Sequence, residues 1–343
     1  MTDALLAITM LWIFVMIYAV AAAIDFGAGF WAMFYMKRKR NRATTMVNRF
    51  LSPSWEVTNV FVVLIVVALF SFFPGATFTL GTVLLIPGSL VLLLLLVRSA
   101  FLVFAHSVQK YKALLTVTSG VTGLLIPAIL VLVLPIAQGG LIEVVEGLER
   151  LDFRALLTST RTYAFSFLAV VSSLYLSALF LSDYANEAGE KEAYRIFRRN
   201  ALFLGPVLVL AALSIVGAVR REAEWFYANL EANGILLILS LLFFVIGYGA
   251  LFLPHTKESS LLGRPRLAVI STAVQFLLAS ATYGMAHLPY LVYPVVTLES
   301  GFTHPNTFRA LFLSFIIGFL ILTPGFVYFW KMFLKDTGYL KQE

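Results

Sequence analysis

The chain has 343 residues, 60% of them hydrophobic and only 13% charged, with a mean hydropathy of +0.91. Soluble domains carry about 25% charged residues, so this composition excludes one and points to an integral membrane protein. There is no cysteine, which excludes disulfides, cysteine-bound zinc, cysteine-bound iron–sulfur clusters and thiol nucleophiles from within the chain. The net charge of +7 is placed between long apolar runs, where it reports topology and not a nucleic-acid surface.

The chain opens with Met1-Thr2-Asp3-Ala4, which lacks the basic start of a signal peptide, and the apolar run that follows is far longer than a signal core. It reads as a retained first membrane helix. About 20 apolar residues cross the hydrocarbon core. Nine runs qualify, at approximately 4–36, 55–73, 77–105, 113–137, 161–187, 200–219, 235–254, 267–294 and 308–330. The expected fold is therefore all-α, with two four-helix transmembrane bundles (1–137 and 161–306), an extracytoplasmic connection at 138–160, and a ninth helix with a tail (307–343).

Alternate connections differ sharply in basic residues. One set contains Lys37 to Arg49, Lys110 and Lys112, Lys191 to Arg199, Lys257 to Arg266, and Lys331 to Lys341, which together hold 18 of the 25 bases. The other set has Arg150, Arg154, Arg161, Arg220, Arg221 and Arg309. By the positive-inside rule the N-terminus lies outside and the C-terminus inside. In the connection at 138–160, Glu143, Glu146, Glu149 and Asp152 alternate with Ile142, Val145, Leu148 and Leu151, a spacing that predicts a short amphipathic surface helix. It reads either as a link between bundles or as a docking surface.

Ionisable groups at membrane depth are costly and face protein or a watery cavity. Asp25 sits mid-span in the first helix, about 12 residues and 18 Å before Lys37. Its helical neighbours are Ala21, Ala22, Ala28 and Gly29, with Ala32 a turn further on, a small-residue seam along which another helix can approach. Asp25 either pins two helices together or carries protons.

Glu56 follows Ser52-Pro53-Ser54-Trp55, a helix start in which an acid favours the dipole, and Asn59 lies one turn on, within reach of a hydrogen bond. Arg98 either snorkels towards the end of the third span or pairs with an acid, a partner chain, an anionic lipid or a haem propionate. The four histidines, His106, His255, His287 and His304, fall at span ends, so no span offers a mid-membrane haem ligand. No dinucleotide fingerprint, P-loop or HExxH zinc motif is present.

Three local patterns then carry a resemblance. Ile24-Asp25-Phe26-Gly27-Ala28-Gly29 is similar to a Phe-Asp-x-Gly-x-Gly element, with Ala22 where a second Asp is common. Pro53-Ser54-Trp55-Glu56 leading to Asn59-Val60-Phe61 is similar to Pro-x-Trp-Asp-Gly-Asn-x-Val-Trp, with Glu56, Val57, Thr58 and Phe61 as departures. Tyr328-Phe329-Trp330-Lys331-Met332-Phe333 is close to a Tyr-Trp-Lys-x-Phe ending.

In this order within nine spans, they make the whole chain resemble subunit II of the cytochrome bd-type quinol oxidases. The resemblance implies a terminal oxidase that takes electrons from membrane quinol and reduces dioxygen to water. It implies no catalytic residue, haem or metal on this chain. Haem b and haem d (or a third haem b) and the quinol site would lie in a haem-bearing subunit I, with a small single-helix subunit and membrane lipid as further partners.

On that reading the chain stabilises subunit I in a bacterial or archaeal cell membrane. Asp25 and Glu56 are candidates for proton transfer, and Asn59 and Arg98 support them. The competing reading is a proton-coupled secondary transporter, for which Pro87, Gly88, Pro127 and Pro206 would mark interrupted spans.

Overall fold

The computed structural model describes residues 2–36, 41–104, 112–255 and 262–334. The side chain of Glu56, His106, and the lysine and second aromatic of the C-terminal motif lie outside the described part. Helix α1 (Asp3–Tyr35) begins at Thr2, whose side chain accepts from Leu5 N at 3.2 Å. It is the central post. It packs against α2 (Asn41–Phe72), α5 (Lys112–Leu130) and α8 (Thr160–Glu187), while α4 (Leu85–Phe104) lies beside α5. Helix α8 in turn packs along α9 (Lys191–Glu222), and α11 (Gly234–Ala250) pairs with α12 (Pro265–His287). The last long helix, α14 (Pro305–Leu334), meets α1 and α2 through stacked, tilted and edge-on rings, Phe14 with Phe315 and Phe319 and Phe72 with Phe308 and Phe315.

Among the described residues, seven helices are long and apolar enough to cross a membrane, and a bent pair makes an eighth. Two expected spans differ from single straight helices. The third divides at Leu84 into α3 (Pro74–Val83), which starts with Pro at its first position, and α4. The seventh begins earlier than its apolar run, as α10 (Glu224–Ala232), and bends by 73° at Asn233 into α11. The expected helix start at Ser52-Pro53 is corrected, because α2 already runs as helix from Asn41 and carries Pro53 in its interior.

Hydrogen bonds tie the helix ends into two layers. At one end, Arg309 pairs with Asp3 at 2.9 Å, Thr303 N donates to Phe72 O, and Tyr293 N donates to Ala137 O. At the other, Tyr35 and Asn200 exchange hydrogen bonds, Tyr194 OH donates to Leu262 O, and Arg266 pairs with Asp183 at 2.7 Å.

The connection at 138–160 corrects the expected amphipathic helix. It forms a β-hairpin, β1 (Ile142–Val145) paired antiparallel with β2 (Leu148–Leu151), followed by the one-turn α7 (Phe153–Thr158) capped by Asp152. The reason is local. Glu146 and Gly147 both take positive φ, 54° and 80°, as a two-residue hairpin turn requires, and β-branched Ile142, Val144 and Val145 suit the strand. The three-residue apolar spacing that suggested a helix also places Ile142 opposite Leu151 and Val145 opposite Leu148 across the hairpin.

The hairpin makes a prediction opposite in sign to a helix. Gly147→Ala would stabilise a helix by about 1 kcal/mol. At φ 80° it instead strains the turn by about 1 kcal/mol or more, so amide exchange at 142–151 should quicken while exchange in α1 and α8 stays unchanged.

Candidate functional site

Asp25 and Arg98, placed on α1 and α4, meet in the interior, each 2 to 3% exposed. Arg98 Nη2 lies 3.1 Å from Asp25 Oδ2 and 2.9 Å from the Asp25 carbonyl oxygen. Its Nη1 donates to the Ser119 carbonyl at 2.5 Å and to Ser119 Oγ at 3.0 Å. The guanidinium carbon stands 5.3 Å from the centre of the Phe26 ring. One cation thus ties together three helices, α1, α4 and α5, with four acceptors and an aromatic face.

The glycines of the motif make this geometry possible. A Cβ at Gly29 would lie 2.8 Å from Arg98 Nη1 and 3.0 Å from Ser119 Oγ, so any side chain there would displace the guanidinium. A Cβ at Gly27 would run into Ser173 O and Ser177 of α8, and one at Gly123 into the Phe26 carbonyl. The backbone of α1 is therefore in direct contact with α8 on one side and α5 on the other, as close small-residue packing allows. Trp31 closes the seam one turn on, its Nε1 donating to Ser177 Oγ at 3.0 Å.

The expected small-residue seam is present: Ala22, Ala28, Gly29 and Ala32 are all buried around Asp25. Of the two expectations for Arg98, the structure has the pairing with an acid in this chain and not a snorkelling side chain. Asn59 is half-buried on α2 and is not a partner of the pair, and Glu56 falls outside the described side chains. Ser119 and Gly123 were not singled out from the sequence. Their signal was the run Ser119-Gly120-Val121-Thr122-Gly123 in α5, small residues at helical spacing facing the seam.

A second buried cation also went unread. Arg161, counted as a loop charge, is 3% exposed and binds Glu222 at 3.2 Å, Gln138 Oε1 at 3.2 Å and the Gly139 carbonyl at 3.0 Å. Ser159 Oγ and Thr160 N donate to the same carboxylate, and Trp225 Nε1 donates to Gln138 O. This latch fastens the connection after α6 (Val133–Ala137) to the start of α8 and the end of α9.

The three described histidines sit at helix ends with local partners. His255 meets Asn186 at 2.8 Å, His287 Nδ1 meets Tyr290 O at 2.9 Å, and His304 Nδ1 accepts from Asn306 N. Among the described residues no group of three His, Cys, Asp or Glu is gathered to hold a metal ion.

Removing one member of a buried pair leaves a bare charge and costs about 3–5 kcal/mol. Arg98→Leu should accordingly lower the melting temperature and yield of the purified protein sharply. Asp25→Leu combined with Arg98→Leu should recover much of the loss. Additive losses in the double variant would mean the two charges are not coupled.

The family model described as cytochrome bd terminal oxidase subunit II matches residues 4–333. A Bacillus subtilis (strain 168) protein described as putative cytochrome bd menaquinol oxidase subunit II is 53% identical over 342 residues, covering 100% of this chain and 99% of its own. Among solved structures, a chain of the bd oxidase from Geobacillus thermodenitrificans superposes with a TM-score of 0.82 at 35% identity, covering 98% of this chain and 100% of that one. An apolar helical bundle that holds a buried ion pair thus has relatives that match it over nearly its full length, and the chain belongs to the subunit II family of the cytochrome bd terminal oxidases.

Proposed function

We propose that this chain, as the subunit II of a quinol-oxidising terminal oxidase, braces the haem-bearing subunit I and supplies part of its proton uptake path through Asp25. The family makes it a component of an oxidoreductase complex with a subunit I partner. Menaquinol is the proposed electron donor, on the strength of the 53% identical relative described as a menaquinol oxidase subunit. Haems of b and d type, or b type alone, belong to the partner and supply the oxygen chemistry there. The skewed distribution of bases supports an outside N-terminus, with the N-terminal end of α2 on the inner side of the bacterial cell membrane.

One observation carries the proton assignment: Asp25 shares Arg98 with other acceptors. A carboxylate whose cation depended on it alone could not be protonated without stranding a buried charge. Arg98 also binds the Asp25 and Ser119 carbonyls and Ser119 Oγ, neutral acceptors that keep its hydrogen bonds, though not its charge, satisfied when a proton neutralises the carboxylate. Glu56, midway along α2, is the proposed entry carboxyl, and Asn59 a polar neighbour on its face. Proton uptake from inside, with quinol protons released outside, would charge the membrane.

The test uses the intact oxidase. Tagged chain should co-purify with a larger haem-bearing subunit and show haem bands in the reduced-minus-oxidised spectrum. In Asp25→Asn, with haem content and subunit ratio unchanged, quinol-driven oxygen consumption should fall by about 10²-fold, the usual scale for losing a proton-transferring group. Glu56→Gln should give a smaller loss that is relieved at low pH. Turnover unchanged at every pH in Asp25→Asn would leave the pair with a purely structural role.

A further inference from the structure

Helix α9 has four bases in its first turns, Lys191, Arg195, Arg198 and Arg199. Arg198 is committed to the fold, Nε and Nη2 donating to Leu251 O at 2.9 and 2.7 Å. Arg195 and Arg199 are not. One turn apart and exposed, they make no ion pair with any described residue, and with Ile196 and Glu192 they line a groove of about 260 Å³.

The same face continues down the helix as an uncovered apolar track. Phe203 follows Arg199 by one turn and is 73% exposed, and Leu210 and Leu213 are 64% and 60% exposed. The opposite face of α9, with Phe197, Ala201, Leu204 and Leu208, is buried in the core shared with α8. Arg199 to Leu210 is 11 residues, about 16 Å at the helical rise. That is about half of the ~30 Å hydrocarbon core, the depth of one leaflet.

Two unpaired guanidiniums directly above an apolar track complement an amphiphile with a negative head and a long tail. We propose that this face of α9 binds a phospholipid, with Arg195 and Arg199 donating to the phosphate diester and an acyl chain lying along Phe203 and Leu210. Glu192 at the rim selects further. Its carboxylate repels a bare phosphate ion but accepts from a hydroxyl or ammonium of the head group, which a lipid such as phosphatidylglycerol provides. The site is separate from the Asp25–Arg98 pair and does not depend on its role.

The experiment takes the intact purified oxidase through mild delipidation, then native mass spectrometry with phosphatidylglycerol titrated back. Arg195→Gln with Arg199→Gln, both exposed and free of fold contacts, should weaken lipid retention by about thirty-fold, the combined effect of two bases at an anionic surface. Phe203→Ser should also weaken it while leaving the cations in place. Three results would overturn the proposal. Equal retention by the double variant would do so, as would equal competition by millimolar inorganic phosphate, which would mark a small-anion site. Loss of the haem subunit from the double variant would mark the face as a protein interface.

Discussion

A guanidinium in the middle of an apolar bundle determines much of how the first half of this protein is built. An isolated Arg or Asp at mid-depth costs about 2.5–3.5 kcal/mol on insertion scales and more by other measures. Arg98 and Asp25 meet this cost together. Each cancels the other's charge at 3.1 Å, and the two terminal nitrogens of the guanidinium also donate to the Asp25 and Ser119 carbonyls and Ser119 Oγ, while Nε is left without a partner. That arrangement requires α1, α4 and α5 to converge within side-chain reach, and Gly29 and Gly123 are the positions that permit it. Phe26 contributes its ring to the cation and its carbonyl to the contact with α5, so Asp25, Phe26 and Gly29 of one motif share a single geometric purpose.

The close approach has a second consequence on the other side of α1. Gly27 admits the Ser173 to Ser177 turn of α8, and Trp31 bonds Ser177, which makes α1 the shared wall between the helices before the hairpin and those after it. The polar site is thus mechanically continuous with the contact between the two parts of the chain. Around Asp25 the helices meet backbone to backbone, as Gly27 and Gly123 allow.

At both ends of the bundle, buried or half-buried arginines do a different job. Arg161 gathers Glu222, Gln138 and Gly139, and Arg198 gathers Leu251 O. Both satisfy carbonyls that the ends of helices leave open. Counting these residues as loop charges served the topology argument, because orientation depends on where the bases are in the chain. It said nothing of which ones fold inward.

The sequence by itself determined the class, the approximate spans, the basic asymmetry, the small-residue seam around Asp25 and the family resemblance, because each is written in runs and spacings of neighbouring residues. Hydrophobic length and helical period are local properties. Only the tertiary structure decided which acid Arg98 meets, since Asp25 is 73 residues away and helix order in a bundle is not encoded in any one helix. It also decided the hairpin at 142–151, where two positive φ values outweighed a spacing compatible with a helix, and the bend at Asn233. Pairing across distance and the sign of a backbone angle depend on what surrounds a residue in space, which sequence spacing does not contain.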